Sequence, residues 1–363
     1  MFAIQPPLIS NYFLSKQKVT KQKTFFKSFF LSWEDALWHI LKIHKLKSGS
    51  VVLVPEFYCG NVEEHMRDHG LKIINYPVDK YLVTDIKRFK KILSNTKPDI
   101  VVIFHAVGIQ NALIKNYRQW ISMLPTKTIL IEDCVHKVID PKEIKFLTKH
   151  HYFIDSLRKV VPIQGSFVYS AGEIPKIGFW QKFVTFPYRL VVFTFWLFMQ
   201  INLFLAHYSK NKTLEKVFNN LAEVSMLIGY KIIGSNRLAS PGVSLMQNYF
   251  EKINTPLIKK MKFIQVQIYK SKLKRVLDSG KFWLPSISQN DYPNLRGLPL
   301  IMDLSVSDKF INYMRKNGVL VRYELNDSKW SDRQKIVYLP MGLHINNSSI
   351  NFIVKKFLGL NTS

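Results

Sequence analysis

The four residues Ser156-Leu157-Arg158-Lys159 set a hydroxyl, a guanidinium and an amine side by side. A lysine amine bonds a carbonyl carbon only when it is neutral, and desolvation or a neighbouring cation favours that form. Arg158 is such a cation. Upstream, an apolar run closes in "IEDCVH" and so delivers Asp133, Cys134 and His136 together. Lysine and arginine account for 52 of the 363 residues, against 25 acidic ones. The plainer reading of any one lysine is therefore a solvated charge, and the surroundings of Lys159 must carry the argument.

Those surroundings read as alternating helices and strands. "SWEDALWHILKIHK" has helical spacing, with Ser32 before it and Asp35 three residues on as a capping box. "VVLVP", "LKIINYPVD", "DIVVIFHAVG" and "TKTILIEDCVH" are short and apolar throughout. "NVEEHMRDHG", "DIKRFKKILSNTKP" and "KNYRQWISMLP" are the helices between them. Strands apolar on both faces and separated by helices predict an α/β fold with a mostly parallel sheet covered on both sides. Ligands of such sheets bind beyond the carboxyl ends of the strands. Pro55 to Cys59, His105 to Gln110 and Asp133 to His136 all fall there, so three segments are expected to converge on one site.

Residues 1–24 read as a basic N-terminal segment, 25–240 as a large domain and 241–363 as a smaller α+β domain. The last opens with one long basic helix, "NYFEKINTPLIKKMKFIQVQIYKSKLKRVL". It continues as strand "LPLIMDL", helix "SDKFINYMRKNG", strand "VLVRYEL" and helix "SSINFIVKKFLG". Within 183–208 the chain is strongly apolar, and Leu190 to Tyr208 holds no Lys, Arg, Asp or Glu. Three readings stand for it: a spanning helix, a buried interface helix, and an anchor lying in one leaflet with its flanking lysines on anionic headgroups.

The order "SWEDALWHIL", "VVLVPEFYCGNV", "GLKIINYPVD", "IEDCVH", "SLRK…GS" and "GSNR" resembles the DegT-type sugar aminotransferases. These are pyridoxal 5'-phosphate (PLP) enzymes of the aspartate-aminotransferase fold, fold type I. The resemblance covers about residues 25–170 well and 234–363 more loosely. It implies that Lys159 is the lysine that bonds the cofactor aldehyde and shuttles a proton, and that Asp133 pairs with the pyridine nitrogen. It places His136 against the ring and its hydroxyl. It sets Ser32, the Trp33 amide and Ser156 at the phosphate, and Tyr58 or Cys59 over the ring. Asn236 then reaches the phosphate of a partner subunit, and His105 and Arg237 meet substrate. Each has a plainer reading as well: a turn cap for Asp133, a helix cap for Ser32, a core ring for Tyr58, a loop brace for His105. The chain departs from its family at Trp33, where a small residue is usual, and by the acidic pair Glu34 and Asp35 beside a dianion.

The implied activity is transfer of an amino group from glutamate to a keto-sugar, nucleotide-linked, in surface-polysaccharide synthesis, by a homodimer. The alternative is an inert protein of the same fold acting as a membrane-associated scaffold. A formal net charge of +27 attracts polyanions. The lysines are dispersed through every segment and no nucleic-acid motif appears, which argues against specific nucleic-acid binding and for an anionic membrane surface or phosphorylated substrates. Cys59 and Cys134 have no metal or disulfide spacing. This fits a cytoplasmic, reducing setting, peripheral on the inner face of the plasma membrane.

Overall fold

A computed structural model describes residues 2–3, 5–13, 25–137, 139–277 and 280–360. The chain opens with strand β1 (Phe2–Ala3), and a seven-stranded sheet follows. Its members are β2 (Phe26–Phe30), β3 (Val51–Pro55), β4 (Lys72–Tyr76), β5 (Ile100–Phe104), β6 (Ile129–Asp133), β7 (His151–Ile154) and β8 (Ser166–Ser170). Their order is β2-β8-β7-β6-β5-β3-β4. The run β4, β3, β5, β6, β7 is parallel, β8 is antiparallel to β7, and β2 is antiparallel to β8. Strands β5 and β6 are buried at every residue, as continuous apolar runs between two helical layers require. The mostly parallel α/β sheet expected from the sequence is present.

The covering helices begin with α1 (Trp33–Ile43), α2 (Gly60–Asp68), α3 (Ile86–Thr96) and the short α4 (Ala112–Lys115). Ser32 caps α1 by accepting from the Asp35 amide at 3.1 Å. "KNYRQWISMLP" is not the helix its spacing predicts. It forms two single 3-10 turns on either side of Trp120, whose buried indole turns inward and donates to the Leu113 carbonyl at 2.9 Å. Strand β2 was hidden in a stretch that reads as basic: Lys27 points outward over the Phe167 ring, while Phe30 is buried.

Beyond β8 lie α5 (Phe179–Val184), α6 (Phe186–Tyr208) and α7 (Lys212–Ile232), the last two packed as an antiparallel hairpin. Next come α8 (Ser244–Phe250) and α9 (Thr255–Leu277). The long basic helix expected here is thus broken. Asn254 at the break donates its amide to the Tyr12 carbonyl at 2.9 Å, and Pro256 suits the first turn of a new helix, where its missing N–H costs nothing. A three-stranded antiparallel sheet, β12-β10-β9, is made of β9 (Phe282–Trp283), β10 (Leu298–Met302) and β12 (Lys335–Leu339), with α10 (Leu304–Lys316) and α11 (Asn347–Gly359). The expected strand "VLVRYEL" shrinks to β11 (Val319–Leu320), which pairs with β1. One continuous apolar core joins the large sheet to this C-terminal part.

Residues 14–24, the most basic part of the expected N-terminal segment, lie outside the described residues. The described part before them is a packed strap rather than a charged tail. Ile9 and Tyr12 are in the core, and Gln5 donates from Nε2 to the Arg158 carbonyl at 2.5 Å.

Candidate active site

An open cleft of about 480 Å³ lies at the carboxyl ends of the parallel strands. Tyr58 and Cys59 reach it from the turn after β3, Phe104 from the end of β5, Asp133 from the end of β6, and Ser156, Arg158 and Lys159 from the turn after β7. Trp33 and Glu34 enter at the start of α1. Of the three segments expected to converge from strand-end positions, two reach the cleft, through Tyr58, Cys59 and Asp133, while His105 to Gln110 does not line it; Ser156 and Lys159, which the resemblance assigns to the site, line the same cleft. The rest of the lining comes from α7 through Leu227 and Tyr230, from Ile233 just beyond its end, and from the C-terminal part through Arg296, Arg322, Glu324 and Asp327.

Asp133 is held at both oxygens. The Tyr58 hydroxyl donates to Oδ2 at 2.9 Å and the Val135 amide to Oδ1 at 3.1 Å. Burial nevertheless raises its carboxyl to about 7. A cation placed against it would restore its charge. Lys159 Nζ stands 3.7 Å from Glu324 Oε1. Glu324 also accepts from Arg296 Nη1 at 2.5 Å and from His136 Nε2 at 3.0 Å. Burial alone would raise the Glu324 carboxyl, but Arg296, Lys159 and His136 outweigh it and hold it well below the usual range.

His136 does not face the cleft. It sits one layer behind, its ring against Phe104, with Nδ1 accepting from the Val107 amide at 3.0 Å. That bond fixes the proton on Nε2, which is donated to Glu324. Burial, then the charge of Lys159, lowers its value to about 3, so it stays neutral. Val107 itself adopts φ 53°, a left-handed conformation that is strained for a β-branched residue. It is held there by His136 on its amide and by the Arg296 amide donating to its carbonyl at 3.2 Å.

His105 is also away from the cleft. Fully buried, it donates from Nε2 to Glu132 Oε2 at 2.7 Å, while Nδ1 accepts from the Asn111 amide at 3.3 Å. The His151 ring lies 3.1 Å from the other Glu132 oxygen. The loop-brace reading of His105 describes this arrangement. Ser32 is likewise committed: its hydroxyl donates to Asp35 Oδ2 at 2.7 Å, and Asp35 Oδ1 accepts from the Ser240 amide at 2.8 Å. Glu34 is buried with Oε2 unbonded. Asn236 and Arg237 do not line the cleft; Asn236 Oδ1 accepts from the Leu238 amide at 3.1 Å and Arg237 is exposed. Gly234 before them has φ 85°, and a Cβ there would lie 2.4 Å from His65 Nδ1.

Sequence reasoning missed Arg296, Arg322, Glu324 and Tyr230. Arg296 is buried with Nε and Nη2 unbonded, and the Arg158 guanidinium sits 4.4 Å over the Tyr230 ring. Burial would raise the Tyr230 phenol, yet Arg158, Arg322 and Arg296 pull it down to about 8. Three guanidinium groups, those of Arg158, Arg322 and Arg296, thus gather around Tyr230, and the donors among them that are not bonded to Glu324 have the chemistry of an anion site. Among the described residues no group of His, Cys, Asp and Glu is arranged to hold a metal ion.

No family model matches the chain, and no curated protein matches it by sequence. Solved structures do match it in three dimensions. A putative sugar aminotransferase, Spr1654 from Streptococcus pneumoniae in its PMP form, superposes with a TM-score of 0.63 at 10% identity, covering 100% of this chain and 99% of that one. NtdA from Bacillus subtilis with bound cofactor PMP gives 0.61 at 11%, over 93% and 74% of the two chains. Helicobacter pylori PseC, an aminotransferase involved in pseudoaminic acid biosynthesis, gives 0.57 at 10%, over 99% and 98%. At such identity the likeness establishes the fold: this chain has the fold of the PLP-dependent sugar aminotransferases.

Proposed function

We propose that the protein is a PLP-dependent aminotransferase acting on a keto-sugar. The observation that carries this reading is the meeting of Lys159 and Asp133 in one cleft at the strand ends, in a fold shared with sugar aminotransferases solved with PMP. The side chains suit the ring end of the cofactor. Lys159 offers an amine at the cleft, 3.7 Å from the Glu324 carboxylate, and the buried Asp133 awaits a cation such as a protonated pyridine nitrogen. They suit the phosphate end by a different route from the one the resemblance implies. The Ser32 hydroxyl is spent on Asp35. Ser156, Arg158 and the unbonded donors of Arg296 therefore take over the binding of phosphate oxygens.

Bound there, the cofactor supplies an electron sink that lets an amino group leave one carbon skeleton and join another. The chain supplies the rest. Lys159 Nζ carries the proton at the reacting carbon. Tyr58 and the Val135 amide hold Asp133 in one orientation. Glu324, anchored by His136 and Arg296, keeps a carboxylate beside Lys159 Nζ. Arg322, at the cleft edge, is placed for a phosphoryl group on the sugar, in keeping with a nucleotide-linked substrate. Glutamate as donor, a role in surface-polysaccharide synthesis, and a homodimer to which Asn236 contributes from the partner complete the proposal.

The test is a visible absorption spectrum and borohydride reduction of the protein mixed with PLP. The wild type acquires a visible band, and after reduction the Lys159 peptide gains the mass of the reduced cofactor. Lys159→Ala does neither. Loss of the band on adding glutamate supports the amino donor. A wild type that shows no band and no mass gain overturns the proposal.

A further inference from the structure

Helices α5, α6 and α7 present an outer face that the rest of the protein does not cover. No residue of α5 is buried, and Trp180 and Phe183 are 76% and 66% exposed. Along α6 the exposed side chains recur at helical spacing, among them Leu190 (54%), Phe198 (48%) and Phe204 (44%), and on α7 Val224 (53%) continues the surface. A water-soluble surface rarely keeps so many contiguous apolar groups without a partner.

We infer that this face docks on an anionic lipid surface, lying in its plane. The inner face of α6 rules out a span, because Trp196, Met199 and Leu203 belong to the protein core and cannot also face lipid. Exposure and packing divide the helix lengthwise, as in a helix that lies along an interface. Charge selects the occupant. Residues 171–233 carry Lys176, Lys182, Arg189, Lys210, Lys212, Lys216 and Lys231 against Glu173, Glu215 and Glu223. Glu223 is already bound by both terminal nitrogens of Arg315, at 3.1 and 2.6 Å. A second copy docking about a two-fold axis would bring this positive face against itself, whereas anionic headgroups neutralise it. The aromatics of α5 sit where a headgroup boundary favours them. Gln181 holds α5 in that pose, accepting from Lys42 Nζ at 2.9 Å and donating to the Ala239 carbonyl at 2.7 Å.

The experiment is co-sedimentation of the full chain with vesicles of phosphatidylcholine alone or with about 30% phosphatidylglycerol, at low and high salt. Binding is expected to the anionic vesicles only and to weaken in salt. The double variant Trp180→Ser/Phe183→Ser and, separately, Lys176→Glu/Lys182→Glu are each expected to lower vesicle affinity about tenfold or more. Both pairs lie on the surface, and unchanged thermal unfolding confirms that the fold is kept. The readout needs no cofactor, so it fails or succeeds independently of the proposed activity. No binding to anionic vesicles, or equal binding by both variants, overturns the inference. So does a wild-type dimer that the α5 variants turn into monomers without vesicle binding by either form, since a second copy then covers the face.

Discussion

His136 Nε2 donates to Glu324 Oε1 across 3.0 Å, joining the end of the large parallel sheet to a carboxylate from the C-terminal part of the chain. Through this bond a residue with no exposure to the cleft sets the position of the acid beside Lys159. Glu324 also balances the buried guanidinium of Arg296. Glu324→Gln keeps the shape and removes the charge, leaving Arg296 buried and unpaired. Urea unfolding is expected to show a loss of about 3 kcal/mol, because breaking one side of a buried pair strands the other.

Asp133 gives the cofactor-free protein a signature in pH. Burial raises its carboxyl to about 7, above its ordinary value in an unfolded chain. Between about pH 4 and 7 the folded state therefore holds a proton that the unfolded state has lost, and stability falls as pH rises through that window. Asp133→Asn has no such proton to lose. The difference in melting temperature between variant and wild type is expected to grow in the variant's favour from pH 4 to pH 7. Adding PLP to the wild type should reverse the trend.

The two serines expected at the phosphate should separate. Ser32→Ala removes a helix cap and the partner of Asp35, costing about 1 kcal/mol of stability, with PLP affinity unchanged. Ser156→Ala leaves the helix caps intact and is expected to weaken PLP binding. Absorbance titration with PLP beside thermal melts distinguishes them. Equal loss of PLP affinity in both would return Ser32 to the phosphate.

Arg322 lines the cleft half-buried, from the irregular stretch between β11 and the bridge at Tyr323. Arg322→Ala is expected to raise KM for a phosphorylated keto-sugar roughly tenfold, the worth of one charge-assisted hydrogen bond, with kcat and melting temperature little changed. Steady-state kinetics with the phosphorylated and the free sugar check this; an equal rise for both would remove the phosphoryl contact.

The legible parts of this protein share one physical property: they are local. An all-apolar strand such as β5 announces its burial in five residues, and strand ends announce where a cleft opens, so Tyr58, Cys59 and Asp133 could be placed along one cleft; Ser156 and Lys159 came from the order of motifs instead. The reversed strand β8 and its edge partner β2 carry no local mark of direction. Arg296 and Glu324 lie far from Lys159 in sequence, and neither stands in a recognisable pattern; only folding brings them to the cleft. The Ser32–Asp35 pairing was legible as a capping box, three residues apart, whereas the bond from His105 to Glu132 joins two strands and leaves no mark in the spacing. Trp120 turned an expected helix into two turns for the sake of one buried ring.

The strap formed by residues 5–13 has a practical consequence. Gln5 holds the carbonyl of Arg158, and Tyr12 accepts from the amide of Asn254 and brings its hydroxyl within 3.3 Å of His344. A protease that clipped the chain after Phe13, or a shortened clone begun there, would keep every residue named at the cleft and still lose the fastening beneath the Lys159 turn. Such a preparation would pass for a catalytic knockout.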